Sequence, residues 1–125
     1  MAWRSVFLLI VVAIVSQAVN SSAYTGDGTY YNVGMGACGR VNSDSELVAA
    51  VSTTVYGRYA NPNNAAICGQ CALVQHGHRK RVKVTIVDKC MGCKSDDIDL
   101  SPTAFAQLAD HALGRIPVSW RIVPC

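Results

Sequence analysis

The sequence carries little charge and few of the patterns that mark nucleic-acid-binding proteins, metalloenzymes or nucleophilic enzymes. Only 15% of its 125 residues are charged, and eleven basic against eight acidic residues give a formal net charge of +3. Basic residues are concentrated only in one short group, residues 79–83, so we expect no nucleic-acid partner. There is no Gly-rich phosphate loop, no HExxH pattern and no histidine next to a serine or cysteine. We therefore predict no metal and no cofactor.

Long apolar runs are also scarce, and the main one lies at the start of the chain. Residues 1–18 contain a basic residue, an uncharged run over residues 6–15 and then small residues, which is the order typical of a secretory signal. The run is shorter than the ~20 residues that span a bilayer. We expect cleavage after Ala18 or Ala23 and one domain over residues 24–125. The expected product is a secreted, extracellular monomer with no membrane contact.

Six cysteines lie beyond this leader, and two interpretations of them compete. Two C-x-x-C pairs separated by eighteen residues fit the spacing of a four-cysteine zinc site. An even number of cysteines in a secreted chain instead favours three disulfides, and a zinc ribbon would leave two cysteines unused. We predict disulfides, although spacing alone does not select among the fifteen pairings. The cysteines are Cys38, Cys68, Cys71, Cys90, Cys93 and Cys125.

Most of the secondary structure is predicted to be short strands, rich in β-branched residues and bounded by Gly, Asn, Asp or Pro. Gly77 marks a hairpin tip over residues 75–78, and a helix is predicted to begin at the N-cap Ser101 and end before Gly114. Residues 45–52 fit either a helix or a strand. The predicted strands are Thr29–Val33, Ala72–Gln75, Val82–Val87 and Val118–Val123.

Asp99 is the most informative polar residue, because it lies between the apolar Ile98 and Leu100 at the start of the predicted helix. Partial burial would raise its pKa and suit it to general-acid chemistry, whereas the nearby helix N-terminus would lower its pKa, so the sequence does not decide the direction of the shift. The competing interpretation is a carboxylate that caps backbone amides. Asp88, beside Cys90, is interpreted as a turn residue that binds local backbone.

Four stretches together resemble the single-domain fungal loosenins and, more broadly, the RlpA-like, expansin and barwin superfamily. They are GDGTYYNVGMGACG (26–39), ICGQC (67–71), VKVTIVDKCMGCKSDDIDLSPTAFAQLA (82–109) and VSWRIVPC (118–125). The resemblance implies a mainly β fold, a disulfide-stabilised, six-stranded double-psi β-barrel with one or two short helices. It also implies bridges Cys38–Cys90 and Cys71–Cys125, and hence Cys68–Cys93 for the remaining pair.

The resemblance places Asp99 where related endoglucanases carry their general acid, but two catalytic partners are missing. The position of their basic aspartate holds Asn32, which accepts no proton at neutral pH. Where RlpA-like lytic transglycosylases have a histidine after two alanines, this chain has Val51. Both departures argue against cleavage of glycosidic bonds.

What remains is a groove that could hold a glycan. Tyr30 and Tyr31 are neighbours on a predicted strand, so their side chains point to opposite faces and one of them is available to a ligand. Aromatic rings stack on sugars, and polar groups bind their hydroxyls. The resemblance indicates a groove lined by Thr29, Tyr31 and Asp99, and flanked by Tyr56 and Tyr59. The full predicted binding set is Thr29, Tyr30, Tyr31, Asn32, Tyr56 and Asp88, with Asp99 as the candidate acid.

The sequence thus predicts a secreted, expansin-like protein that binds polysaccharide, such as cellulose, chitin or another wall glycan, and loosens it without hydrolysis. Two alternatives remain open. One is a lytic glycan-cleaving enzyme that uses a single aspartate. The other is a secreted protein-binding module, such as a protease inhibitor or an effector.

Overall fold

A computed structural model describes residues 23–125, which form one closed six-stranded barrel. Around the barrel the strands follow the order β1-β5-β2-β4-β3-β6. The β1/β5 and β2/β4 pairs are parallel and the other four are antiparallel. The strands are β1 (Tyr24–Tyr30), β2 (Val48–Ser52), β3 (Cys71–His76), β4 (Lys80–Cys90), β5 (Ile98–Leu100) and β6 (Ile116–Val123). The predicted mainly β, six-stranded double-psi barrel is confirmed.

The barrel interior is filled by alternate residues of the strands, as a period of two requires. In β4, Val82, Val84 and Ile86 are buried while the residues between them face outward or are partly exposed. Trp120 of β6 is buried in the same core and stacks on Tyr24 with ring centroids 4.1 Å apart. Closure leaves no free sheet edge, so this small domain pairs the backbone of every strand on both sides.

The predicted strands near the middle and the end of the chain are confirmed, and the first one is displaced. The structure extends it back to Tyr24 and ends it at Tyr30, where Thr29–Val33 was expected. Tyr24 to Gly28 pair with β6, so barrel pairing overrides the low strand propensity of two glycines. The hairpin tip is as predicted, with Gly77 at φ +63°.

The sequence pattern did not decide between a helix and a strand for residues 45–52. In the structure they form the end of a loop followed by β2. Glu46 accepts a bond from the Ser43 amide, the contact of a capping box, yet no helix follows it. Instead Ser52 ends β2 and caps the short helix α1 (Thr53–Tyr56) by accepting from the Val55 amide.

The predicted C-terminal helix is shorter than expected. Ser101 is its N-cap, but α2 covers only Pro102–Ala106 and a separate 3₁₀ turn covers His111–Leu113. Asp110 caps that turn by accepting from the Ala112 amide. The apolar pattern predicted one helix, but the chain forms two short helical segments with separate N-caps. Another 3₁₀ turn lies at Pro62–Asn64.

All six cysteines form disulfides, which confirms the prediction of bridges and rules out a four-cysteine zinc site in this oxidised form. Cys71–Cys125 is confirmed. The other two expected bridges are wrong, because the structure forms Cys38–Cys68 and Cys90–Cys93 instead. In both cases Cα atoms within 6 Å allow the bond, at 5.7 and 5.4 Å. The resemblance therefore implied one of the three bridges correctly.

Between residues 23 and 125, no helix has the length and apolar character needed to cross a membrane. The predicted secretory signal lies almost wholly outside the described residues and stays a prediction.

Candidate functional site

The strand register brings four residues into one row across the outside of the barrel. Thr29 of β1 lies opposite Asp99 of β5, Asp99 lies opposite Ala50 of β2, and Ala50 lies opposite Asp88 of β4. Directly opposed residues in a sheet point to the same face. The row therefore places two carboxylates on one face with a methyl group between them, and we call these residues, together with Tyr31, the carboxylate face.

The row faces outward because its neighbours along each strand face the core. Ile98 and Leu100 flank Asp99, and Ala49 and Val51 flank Ala50; all four are fully buried in the hydrophobic core. Two strand spacings separate the backbones of the two aspartates, so their Cα atoms lie roughly 10 Å apart. Ala50 between them is itself only 2% exposed, whereas both aspartates are partly exposed.

Asp88 reaches this face through an irregularity in β4. The register with β2 skips one residue, so that Ala49 lies opposite Ile86 but Ala50 lies opposite Asp88. Strict alternation after Val82, Val84 and Ile86 would have turned Asp88 inward. The skipped residue, Val87, is buried, so two consecutive apolar residues before Asp88 were the available sequence signal.

The Asp99 carboxylate is held by a side-chain hydrogen bond. Its Oδ1 accepts a hydrogen bond of 2.9 Å from the Thr29 hydroxyl. The α2 amides are capped by Ser101 instead, so the helix-capping interpretation of Asp99 is wrong. Burial raises the pKa of Asp99, and the charge of Asp88 raises it further, while the Thr29 hydrogen bond and the charge of Arg115 oppose the shift.

Asp88 is fixed more firmly. Its Oδ1 accepts bonds of 2.8 Å from both the Ala37 amide and the Lys89 amide. It binds backbone as predicted, but from a strand and not from a turn. The loop that carries Ala37 lies close against it, because a Cβ added at Gly36 would be 2.3 Å from the Val87 carbonyl oxygen.

Tyr31 belongs to the carboxylate face and Tyr30 does not. Burial raises the pKa of the Tyr31 hydroxyl, and the charges of Asp88 and Asp99 and a hydrogen bond to Asp88 raise it further. The Tyr30 ring instead packs 4.8 Å from Phe105 and its hydroxyl donates to the His111 carbonyl. The expectation that these neighbours face opposite ways is confirmed, and Tyr31 is the one that lies on the carboxylate face.

Asn32 lies beside this site, but its side chain binds to a loop residue. Its Nδ2 donates to Asp44 at 3.2 Å, and the same carboxylate accepts from the Val33 amide at 2.7 Å. Asp44 also anchors Thr103 through its carbonyl oxygen. Local pattern does not single out Asp44, because its partners Asn32, Val33 and Thr103 are distant from it in the chain.

Tyr56, expected at the edge of the groove, is only 2% exposed. Its hydroxyl donates to the Pro62 carbonyl at 2.6 Å, and Lys89 Nζ lies 5.3 Å from the ring centroid. Its placement as a sugar-stacking residue is therefore wrong, since no open ring face is left. Tyr59, 42% exposed, borders an open cavity of about 390 Å³ that Lys89 and Arg58 also line.

The carboxylate face carries a second acid beside Asp99. From the sequence, Asp99 was expected to lack a partner carboxylate, because Asn32 occupies the expected position of the base. The structure supplies Asp88 on the same face from another strand. Burial is the main cause that raises the pKa of Asp99, and the charge of Asp88 adds a smaller contribution in the same direction. Asp27, another carboxylate of β1, is instead paired with Arg115 at 3.0 Å.

Comparison with known proteins agrees with the fold. A family model described as lytic transglycolase, of the double-psi β-barrel, matches residues 17–120. The papain inhibitor of Streptomyces mobaraensis is 33% identical over 102 residues, which cover 79% of this chain and 71% of that protein. The solved Streptomyces papain inhibitor superposes with a TM-score of 0.75 at 35% identity, covering 82% of this chain and 94% of that one.

Expansins are similar over part of their length. Expansin-A26 of rice is 34% identical over 96 residues, 72% of this chain but 31% of that protein. A solved variant of the Clavibacter michiganensis expansin in complex with cellohexaose has a TM-score of 0.69 at 30% identity. It covers 82% of this chain and 50% of that one. The chain thus spans 31% to 50% of the length of these expansins.

Proposed function

Since this chain belongs to the double-psi β-barrel family described as lytic transglycolase, and to its expansin-like branch, we propose that it is a secreted protein that binds cell-wall polysaccharide and loosens it without cutting. The row of Thr29, Asp99, Ala50 and Asp88 carries this proposal. It presents acceptor and donor groups on one face of the barrel. The structural neighbour in complex with cellohexaose supports a glucan as ligand.

The chemistry of the face suits sugar hydroxyls. Carboxylate oxygens of Asp99 and Asp88 accept hydrogen bonds from hydroxyl groups, and bonds to charged acceptors are about twice as strong as neutral ones. The hydroxyls of Thr29 and Tyr31 can also bind sugar. By competing for hydroxyls that otherwise join one glycan chain to the next, these groups would separate chains while every covalent bond stays intact.

Cleavage needs more than two carboxylates. An inverting mechanism requires one carboxylate to activate a water across from the acid, with about 6.5–9.5 Å between the carboxyl groups for that water. Asp88 has one oxygen held by two backbone amides. A base fixed in this way has little freedom to take a proton from water. The geometry therefore favours binding over hydrolysis.

The test incubates the purified protein with insoluble cellulose, chitin and peptidoglycan and measures both bound protein and soluble sugar. We expect binding to at least one polysaccharide, no sustained sugar release, and a loss of affinity of about tenfold in Asp99→Asn, as for a lost charge-assisted bond. Asp96→Asn, which changes an exposed carboxylate outside the face, is the matched control and should bind as the parent does. Sustained release that Asp99→Asn abolishes would instead establish a glycan-cleaving enzyme, and products with an anhydro end would identify it as lytic.

A second candidate function, inhibition of a cysteine protease, is favoured by the likeness to the papain inhibitor. Inhibition would use a loop surface, and the exposed hairpin tip after His76 is one that the barrel presents rigidly. Papain activity measured with and without the protein tests this function directly. Inhibition that survives Tyr31→Ala but is lost when residues 77–80 are replaced by Gly and Ser would favour this function over glycan binding.

A further inference from the structure

The Cys90–Cys93 disulfide lies on the carboxylate face and has no part in the proposed glycan binding. Cys90 lies opposite Ser52 in the same register that sets Asp88 opposite Ala50, so Cys90 and Asp88 share a face two residues apart. The Sγ atoms of Cys90 and Cys93 and a carboxylate oxygen of Asp99 all lie within 4.8 Å of one another. A disulfide is thus in direct reach of a partly buried acid.

This bridge differs from the other two in what it holds together. Cys90 and Cys93 are three residues apart, whereas the other bridges join residues 30 and 54 positions apart. A disulfide stabilises a fold mainly by restricting the unfolded chain, and the effect grows with loop length. Opening the Cys90–Cys93 bridge therefore disturbs the fold least of the three.

The bridge is also accessible. Met91, at the tip of its four-residue ring, is 76% exposed. A Cβ added at Gly92 would meet nothing within 4 Å, so the space over the ring is open. Cys90 and Cys93 themselves are partly exposed. A thiol can approach the sulfurs without any rearrangement of the barrel.

We propose that Cys90-Met91-Gly92-Cys93 is a thiol–disulfide exchange site, opened by a small or protein-borne dithiol, with Asp99 as the group that transfers the proton. In the first step the thiolate of the dithiol bonds to one cysteine Sγ, and the Cys90–Cys93 bond breaks. The departing sulfur takes the electron pair and the proton of the Asp99 carboxyl. The second thiol of the dithiol then displaces the other protein sulfur from the mixed disulfide, and its proton goes to that sulfur. Asp99 regains a proton from solvent, equal to the one that the dithiol released when it formed its thiolate. The products are two protein thiols and an oxidised dithiol.

The proton on Asp99 controls the first step in two ways that act in the same direction. A neutral carboxyl does not repel the incoming thiolate, and it supplies the proton that the departing sulfur needs. Burial raises the pKa of Asp99, which brings the neutral form closer to the pH of the exchange. The charged and titratable groups that face Asp99 are Asp88 from β4, Tyr31 after β1 and Arg115 before β6.

The first experiment titrates the purified protein with dithiothreitol, alkylates free thiols with iodoacetamide and locates the modified cysteines by peptide mass. We expect Cys90 and Cys93 to be modified at a dithiothreitol concentration at least about tenfold below that needed for the other four cysteines. The far-ultraviolet circular dichroism should stay unchanged at that concentration. The double variant Cys90→Ala/Cys93→Ala should stay folded and lose the early modification. Simultaneous opening of all three bridges, or earlier opening of either other bridge, would overturn the proposal.

The second experiment measures the rate constant for opening, per attacking thiolate, between pH 8 and pH 5. We expect it to rise at least about tenfold toward low pH in the parent and in the control Asp96→Asn, and to be flat in Asp99→Asn. A purely structural effect of Asp99→Asn would shift the rate equally at every pH, and equal slopes in all three proteins would remove Asp99 from the mechanism. The readout is thiol modification, so the result does not depend on whether the protein binds glycan.

Discussion

The hydrogen bond between Thr29 and Asp99 is the contact that most directly defines the carboxylate face, and Thr29→Val removes it while keeping the side-chain shape. At 2.9 Å from hydroxyl to carboxylate, it is a bond to a charged acceptor, worth about 1.5–3 kcal/mol, against about 0.5–1.5 kcal/mol for a neutral pair. Because the site is partly exposed, we take the lower part of the range and expect Thr29→Val to destabilise the protein by about 2 kcal/mol at pH 7.

A double-mutant cycle with Asp99→Asn isolates the part of the hydrogen-bond free energy that depends on the charge of Asp99. Asn still accepts the Thr29 hydrogen bond, so Thr29→Val should cost about 1 kcal/mol less in the Asp99→Asn background. At pH 3 the carboxyl is neutral, since its pKa lies above the ordinary value of 3.8, and the coupling should disappear.

The same shift of the Asp99 pKa predicts that Asp99→Asn alone stabilises the protein at pH 7. A raised pKa means that the charged form is disfavoured in the folded state, and stability is lost as the pH rises through it.

Urea unfolding followed by Trp120 fluorescence provides the assay, because this ring is buried and stacked on Tyr24 and will report loss of the barrel. For a domain of this size, 1 kcal/mol corresponds to roughly 4–8 °C in Tm, so thermal scans check the same values. A coupling below about 0.3 kcal/mol, or one that is equal at pH 7 and pH 3, would refute the geometry assigned to Asp99.

Two further predictions test the loop and the disulfides. Gly36→Ala should destabilise the protein by at least about 1 kcal/mol in urea unfolding, because its Cβ would lie 2.3 Å from the Val87 carbonyl, whereas Gly34→Ala, with nothing within 4 Å, should change stability by less than about 0.5 kcal/mol. Equal effects of the two alanines would show that this loop does not press against β4. Replacing both cysteines of Cys71–Cys125 by Ala should cost about 4 kcal/mol, and replacing both of Cys90–Cys93 only about 2 kcal/mol, from loops of 54 and 3 residues. The reverse order in thermal scans would contradict the loop-length argument.

The amino-acid sequence was sufficient for the parts of the protein that depend on local pattern. Alternation over Val82–Val87 predicted a strand with one buried face, Gly77 predicted the hairpin tip, and the even cysteine count predicted bridges. The opposite orientation of Tyr30 and Tyr31 followed from the period of two alone. These features depend on residues that are close together in the chain, so they can be predicted from the amino-acid sequence.

Only the tertiary structure decided which distant residues meet. Cys38 bonds to Cys68, and Cys90 to Cys93, because barrel closure and loop paths set the Cα distances, which sequence spacing does not encode. Asp88 joins Asp99 on one face because a single skipped residue in β4 reverses the outward and inward positions that follow it. Two aspartates eleven positions apart thus become neighbours across β2 through pairing between strands, which is a property of the closed sheet and not of either segment by itself.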